Sequence, residues 1–260
     1  MNFILMFPEF IGQMIIKTLA GFGRFLLFIK ELFHWAFQRP FRLGLIIKQF
    51  EFVGNKSAVI IFISALFVGA VLGLQLGVIF RLFSAEGLMG AATGKSLALE
   101  LGPVMCGFIV IGRAGAAMAA EIATMRVNEQ IDAMEAMGVN PISYLVVPRV
   151  IASTLMMPLL AGIFLFVGII GCYLVAVVFY RVDTMTFMQQ LKWIVYWSDV
   201  VKGLVKATVF GFIFSSIACY KGFKAKGGAK GVGEATTSAV VAGLLSILVG
   251  DFIITLFQVR

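Results

Sequence analysis

GRAGAAMAAEIATMRVNEQIDAMEAMGVNP, from Gly112 to Pro141, separates two apolar blocks that are each long enough to cross a membrane. Its charged residues are Arg113, Glu121, Arg126, Glu129, Asp132 and Glu135. Between them, Ile122, Met125, Ile131, Met134 and Met137 recur near helical spacing. The pattern predicts an amphipathic helix over about 121–138. Such a helix either docks a partner or lies on the bilayer surface.

The composition of the whole chain is that of an integral membrane protein. Of its 260 residues, 61% are hydrophobic and 13% are charged, whereas soluble domains are about half apolar and about a quarter charged. The net charge is +8, but the basic residues are scattered among apolar runs. We therefore expect them to flank membrane helices facing anionic lipids, and we expect no nucleic-acid partner. The predicted fold class is all-α.

Apolar runs of membrane length define five predicted spans in a domain over 57–260. They lie at about 57–80, 98–119, 150–180, 202–220 and 235–259. The N-terminal segment, 1–56, is apolar but repeatedly interrupted by basic residues, which predicts an amphipathic interfacial segment. A tilted span over about 15–37 is the alternative. Basic residues concentrate in 1–56 and 221–234, so the positive-inside rule predicts a cytoplasmic N-terminus and a C-terminus on the opposite side.

Small and ionisable residues inside these spans are candidates for packing and function. Three glycines recur every four residues in the first span, at Gly69, Gly73 and Gly77. They predict a face that another helix approaches closely. Two acids, Glu100 and Asp251, lie within or near spans, where a charge needs a partner. Asp251 is expected to make a structural contact with Lys202 or Lys206, and Glu100 to lie at a cavity mouth or in the headgroup zone.

Two apparent ligand sites are rejected on the sequence. Carboxylates over 121–135 do not converge along a helix and have no His or Cys beside them, so no metal site is predicted. GAATGKS, Gly90–Ser96, resembles a phosphate-binding loop, but the pattern needs glycine where Met89 stands. We expect this chain to bind no cofactor. If transport is ATP-driven, ATP and Mg²⁺ belong to a partner subunit.

Four motifs carry a family resemblance. ELGPV (100–104), GRAGAA (112–117), AEIATMRVNEQIDAMEAMGVNP (120–141) and PR (148–149) resemble the MlaE/YrbE-type ABC permease family, over roughly residue 52 to the C-terminus. The resemblance implies that the helix at 121–138 is a cytoplasmic coupling helix that inserts into an ATPase. The residues that it assigns to this contact are Arg126, Glu129, Gln130, Asp132 and Glu135.

The same resemblance implies a substrate and further partners. It places a phospholipid cavity at the centre of a homodimer in the bacterial inner membrane. The candidate lining residues are Leu72, Leu76, Val78, Ile79, Leu99 and Glu100. The implied partners are an ABC ATPase, a STAS-domain protein and a periplasmic ring of MCE-domain proteins. The implied role is lipid traffic between inner and outer membranes, which maintains outer-membrane lipid asymmetry. Many members carry a base at the position of Leu99, so an Arg–Glu pair there is not expected.

Two other classes remain as alternatives. A stand-alone secondary transporter or channel needs ionisable residues or broken helices near the midplane, and Glu100, Asp251 and Pro158 supply only a few. An enzyme acting on lipids within the membrane needs a catalytic constellation, and no His/Asp or Ser/Lys grouping lies at matching depths. Dependence on a separate ATPase distinguishes the permease from both.

Overall fold

The computed structural model describes residues 3–38 and 42–259, and these ranges form helices joined by short turns, with no strand. The eight helices are α1 (Phe3–Ala36), α2 (Leu43–Arg81), α3 (Glu86–Val127), α4 (Gln130–Ala136), α5 (Ile142–Val178), α6 (Thr184–Ile194), α7 (Trp197–Phe223) and α8 (Gly228–Val259). Five of them, α2, α3, α5, α7 and α8, are long and apolar enough to cross a membrane. The prediction of an all-α membrane protein is confirmed.

The membrane helices extend beyond the uncharged runs that predicted them. Helix α2 begins at Leu43, so the predicted boundary at residue 56 falls inside a helix. Helix α5 begins at Ile142 and includes Arg149, which the sequence placed before the third span. A charged residue marks where a helix leaves the apolar layer, but it does not end the helix, because Lys, Arg and Glu are good helix formers.

The helix predicted over 121–138 is broken into two pieces. Residues up to Val127 continue α3, and the chain leaves the helix at Asn128. Glu129 then adopts a left-handed conformation with φ 57°, which costs a non-glycine residue about 1–2 kcal/mol. The short helix α4 follows and ends before Gly138, whose φ of 75° suits a glycine at a helix C-terminus. Hydrophobic periodicity did not detect this turn, because apolar residues recur on both sides of it.

Glycines allow a close contact between α2 and α5. The face of α2 formed by Gly69, Gly73 and Gly77 is buried against α5 of the same chain. A Cβ atom on Gly69 would lie 1.9 Å from the carbonyl oxygen of Gly168, and one on Gly77 would lie 2.4 Å from the Tyr180 ring. The glycine face is therefore used within the chain, which leaves other faces of α2 for any second copy.

Helix α1 packs on the end of the bundle that carries α4. Phe28 and Leu32 of α1 are buried in one cluster with Ile122 of α3 and Ile131 of α4. Tyr220 of α7 also donates a hydrogen bond to the Gly21 carbonyl at 3.3 Å. Other apolar side chains of α1, including Phe22 and Leu27, are exposed. Helix α1 is not one of the five membrane-length apolar helices, and its interfacial position stays a prediction.

Candidate functional site

Helix α4 is held to the bundle by its apolar side and shows its acidic side outward. Ile131 is fully buried in the cluster with α1 and α3, and Met134 packs against that cluster. Asp132 and Glu135 are exposed, as is Met137 just beyond the helix. Ile131 is therefore not available to anchor a partner, because its side chain holds α4 against its own chain.

The five residues assigned to ATPase contact lie on one short stretch of surface. Glu129, Gln130, Asp132 and Glu135 are exposed, and Arg126 is partly exposed. An ion pair joins Arg126 Nη1 to Asp132 Oδ1 across the left-handed turn. This pair ties the end of α3 to α4 and leaves Glu129 and Glu135 as the acids available to another molecule.

An ion pair joins α3 and α5, the helices that precede and follow α4 in the chain. Arg149 in the first turns of α5 donates from Nη2 to Glu121 Oε2 of α3 at 2.7 Å, and from Nη1 to the Leu145 carbonyl at 2.9 Å. The Arg149 side chain is buried and that of Glu121 is exposed. Any displacement of α4 therefore reaches α3 and α5 together. The sequence did not single out this pair, since its members are 28 residues apart.

A second arginine contact, which is partly buried, fixes α2 against α3. Arg113 donates from Nη1 to the Phe52 carbonyl at 2.7 Å and to Ser57 Oγ at 2.8 Å. Its guanidinium also lies over the Phe52 ring, 4.9 Å from the centroid. Both partners come from the part of α2 around a π-helical turn, Glu51–Asn55. A π turn widens the helix and is frequent at functional sites.

An ion cluster lies inside the membrane-spanning bundle. Lys206 of α7 is 0% exposed, and its Nζ is 2.6 Å from Glu100 Oε2 of α3 and 3.2 Å from Asp251 Oδ1 of α8. Its third contact is with Thr255 Oγ1 at 2.8 Å. The cluster joins three helices at one point. One ammonium faces two carboxylates there, so the ionised cluster carries an excess negative charge.

The sequence anticipated half of this cluster. Lys206 was one of two expected partners for Asp251, while the other, Lys202, donates to the backbone carbonyl of Gln258 at 3.4 Å. Glu100 was expected at a cavity mouth or in the headgroup zone, and instead shares Lys206 with Asp251. The available signal was the presence of acidic residues in two predicted spans, Glu100 and Asp251, and of lysines in a third.

The remaining candidates for a lipid cavity do not form one enclosed site within a single chain. Leu72, Leu76 and Leu99 are half-buried, whereas Val78 and Ile79 are exposed. Leu72 packs against the main core of the bundle. The exposed members are available to lipid or to a second copy, and their lining role stays a prediction.

The rejected phosphate loop has a packing role. Met89–Ser96 is α-helical and forms part of α3. A Cβ atom on Gly90 would lie 2.5 Å from the Phe187 ring of α6, so the glycine makes room for that ring. Within 3–38 and 42–259, no group of three His, Cys, Asp or Glu side chains is arranged to hold a metal ion.

Comparison with known proteins gives a consistent result over nearly the whole chain. The family described as Permease MlaE matches residues 46–257. The chain is 45% identical over 259 residues to a probable ABC transporter permease protein of Rickettsia prowazekii, covering 97% of each. It is 36% identical over 255 residues to the intermembrane phospholipid transport system permease protein MlaE of Haemophilus influenzae, again covering 97% of each.

A plant relative extends the range of the match. The chain is 34% identical over 250 residues to the chloroplastic protein TRIGALACTOSYLDIACYLGLYCEROL 1 of Arabidopsis thaliana, covering 96% of this chain and 66% of that protein. The matched family region, residues 46–257, contains α4, both arginine contacts and the ion cluster. Five membrane-length helices, a short helix suspended between two of them and these matches together show that the chain is a multi-pass membrane permease of the MlaE family.

Proposed function

We propose that this chain is the permease subunit of an ATP-driven ABC transporter that moves phospholipids between the inner and outer membranes. By this proposal it helps to maintain outer-membrane lipid asymmetry, and it works as a homodimer with phospholipid held between the two copies. ATP and Mg²⁺ bind to a separate ATPase. A STAS-domain protein and a periplasmic ring of MCE-domain proteins complete the assembly. The names of the Haemophilus and Rickettsia relatives support the substrate and the transporter class.

The observation that carries this proposal is the way in which α4 packs on the bundle, with its apolar side buried and its acidic side exposed. Its apolar residue Ile131 is buried in the chain's own core, while Glu129 and Glu135 are exposed. An exposed acidic face suits a basic groove on a partner, and such complementarity favours a defined docking orientation. Because Glu121 and Arg149 tie the flanking helices together, a partner that moves α4 also moves two membrane helices.

In this mechanism the ion cluster holds three membrane helices together. Lys206 binds Glu100 and Asp251 on two other helices, so α3, α7 and α8 move as one body. The opening of a lipid cavity then occurs between the two copies of the chain, where α2 offers its exposed residues Val78 and Ile79. We regard the cluster as a structural contact, since Lys206 donates a hydrogen bond to each of the two acids.

The proposed orientation places α4 in the cytoplasm. The buried cluster brings α1 to the same end as α4. Val127 at the end of α3 packs with Ala225, in the lysine-rich turn after α7, and with Val232 near the start of α8. Basic residues thus concentrate at the end that carries α4, as cytoplasmic segments do. With five spans, the N-terminus is then cytoplasmic and the C-terminus periplasmic.

The test is purification of the tagged chain in mild detergent, with the ATPase identified by mass spectrometry and by ATP hydrolysis. We compare wild type with Glu135→Lys, which reverses a charge on α4. Glu86→Lys makes the same change at the opposite end of the bundle and is the matched control. We expect Glu135→Lys to retain at most a tenth of the ATPase, a loss of about 1.4 kcal/mol or more in binding, and the control to retain all of it.

Three results count against the proposal. Wild type purified without any ATPase removes the ABC assignment, and full retention by Glu135→Lys removes α4 as the docking site. ATP-independent phospholipid transfer by the chain alone in liposomes favours the second candidate, a secondary transporter, for which the excess charge of the Lys206 cluster is the supporting observation. A monodisperse size-exclusion profile for each variant separates lost docking from lost folding.

A further inference from the structure

Helix α6 connects two membrane helices at the end of the molecule opposite α4. It lies between the end of α5 at Val178 and the start of α7 at Trp197. Helix α5 has 37 residues, so its two ends are about 55 Å apart. A connector that begins and ends at membrane helices must lie near one membrane surface, because both helices leave the apolar layer there.

The position of α6 is fixed by buried contacts with α3. Phe187 is fully buried, and its ring occupies the space that a side chain at Gly90 would need. Asp183 caps the helix by accepting a hydrogen bond from the Thr186 backbone at 3.0 Å. Helix α6 is therefore a rigid part of the bundle, and the side chains on its other side have a defined direction.

Three aromatic residues where α6 leads into α7 are not covered by the rest of the chain. Trp193, Tyr196 and Trp197 are 71%, 58% and 75% exposed. A tryptophan or tyrosine has an apolar ring with one polar group, and both residues are enriched where hydrocarbon meets water at a membrane surface. Three of them within five residues form a surface that we name the aromatic rim.

The surroundings of the aromatic rim fit a phospholipid layer. Trp193 and Lys192 line an open cleft of about 500 Å³ with Gln189 and Gln190, and a lysine there can meet lipid phosphate. The nearby Asp199 side chain is largely buried, and its charge is compensated by an ion pair with Lys95, whose Nζ lies 3.6 Å from Asp199 Oδ2. The exposed charge beside the aromatic rings is therefore positive.

Exposed apolar side chains also lie at the neighbouring helix ends. Phe83 beyond the end of α2 and Phe179 beyond the end of α5 are exposed. Both are at the end of the molecule that carries α6, because Phe80 and Tyr180 pack against the cluster that contains Phe187. A lipid layer at this end would contact these rings as well as the rim.

We propose that the aromatic rim lies in the phospholipid headgroup layer of the membrane face opposite α4 and sets the depth of the bundle. Lys206 follows Trp197 by nine residues of the same helix, which is about 13 Å along the helix axis. Half of a hydrocarbon core of about 30 Å is about 15 Å. The rim therefore places the Lys206 cluster close to the middle of the membrane. This inference does not depend on whether an ATPase drives the permease.

The chain supplies its own probes for a test. It has three tryptophans, and Trp35→Phe leaves only those of the aromatic rim. The full chain is reconstituted in phosphatidylcholine vesicles that contain lipids brominated either near the headgroup or near the chain end. We expect strong quenching of tryptophan fluorescence by the shallow bromines, at least twofold weaker quenching by the deep ones, and weak quenching by aqueous iodide compared with a soluble tryptophan amide.

Single-tryptophan variants locate each ring separately. Trp35→Phe combined with Trp193→Phe or with Trp197→Phe leaves one probe, and we expect the shallow pattern from both. Strong iodide quenching with no effect of brominated lipid overturns the proposal, because the rim then stands in water. Protection from both quenchers also overturns it, because another protein surface then covers the rim. Stronger quenching by the deep bromines overturns the depth assignment.

Discussion

Replacing Lys206 by methionine tests whether the intramembrane ion cluster holds the bundle together. Methionine keeps most of the volume and removes the ammonium, which lies 2.6 Å and 3.2 Å from two carboxylates. Breaking a buried ion pair by removing one partner costs about 3–5 kcal/mol. Glu100 and Asp251 retain 40% and 21% side-chain exposure, which lets them recover some solvation. We therefore expect Lys206→Met to lower the free energy of unfolding by about 3 kcal/mol.

The matched variant removes all three charges. Lys206→Met combined with Glu100→Gln and Asp251→Asn leaves only neutral groups, which are far less costly to bury than unpaired carboxylates. We expect it to lie within about 1–2 kcal/mol of wild type. The measurement is reversible unfolding by sodium dodecyl sulfate in mixed micelles, followed by helical circular dichroism.

Two results would refute this reasoning about the cluster. If Lys206→Met is as stable as wild type, the lysine is not needed to compensate the two acids. If the triple variant is as unstable as the single variant, the loss comes from packing or hydrogen bonding and not from unpaired charge. Recovery in the triple variant alone supports the electrostatic account.

Substitutions at three further contacts follow, with thermal unfolding in detergent as the common measurement. Gly69→Leu forces α2 from α5 and should unfold much of the protein, whereas Gly162→Ala, which meets no atom within 4 Å, should be neutral or stabilise by up to about 1 kcal/mol; equal effects would contradict the glycine contact. Glu121→Gln strands the buried guanidinium of Arg149 and should cost about 3 kcal/mol, whereas Arg149→Met leaves an exposed carboxylate and should cost about 1 kcal/mol or less; the reverse order would contradict the burial argument. Phe187→Ala should cost about 3–5 kcal/mol and expose α6 to protease, and an unchanged cleavage pattern would show that α6 is held by other contacts.

The five membrane helices could be predicted because their signal is local. A run of apolar residues of sufficient length has few alternatives in a membrane, where every backbone group must be hydrogen-bonded within its own segment. The acidic character of the segment around α4 was equally local. These features follow from composition within windows of about 20 residues.

The contacts that organise the candidate site could not be read in the same way. Glu100, Lys206 and Asp251 lie on three helices separated by long stretches of sequence, so only the packing of those helices brings them together. The sequence also could not decide what covers Ile131. An apolar residue on an amphipathic helix has the same sequence pattern whether it binds a partner or its own chain, and Ile131 is buried in a cluster with residues of α1, α3, α5 and α7.

The π-helical turns within α3, Leu97–Leu101 and Ile111–Gly115, affect how its sequence relates to its faces. Each π turn holds one more residue than an α turn, so side chains beyond it are rotated by about 100° relative to an uninterrupted α-helix. Two such turns rotate the half of α3 that leads to α4 by about 200° from the position that an uninterrupted α-helix would give it. Removing one residue from either turn would restore regular α-geometry there and leave the half of α3 that leads to α4, with Glu121, on the same side of the bundle. Relatives one residue shorter in these segments would therefore align with a gap while presenting the same faces.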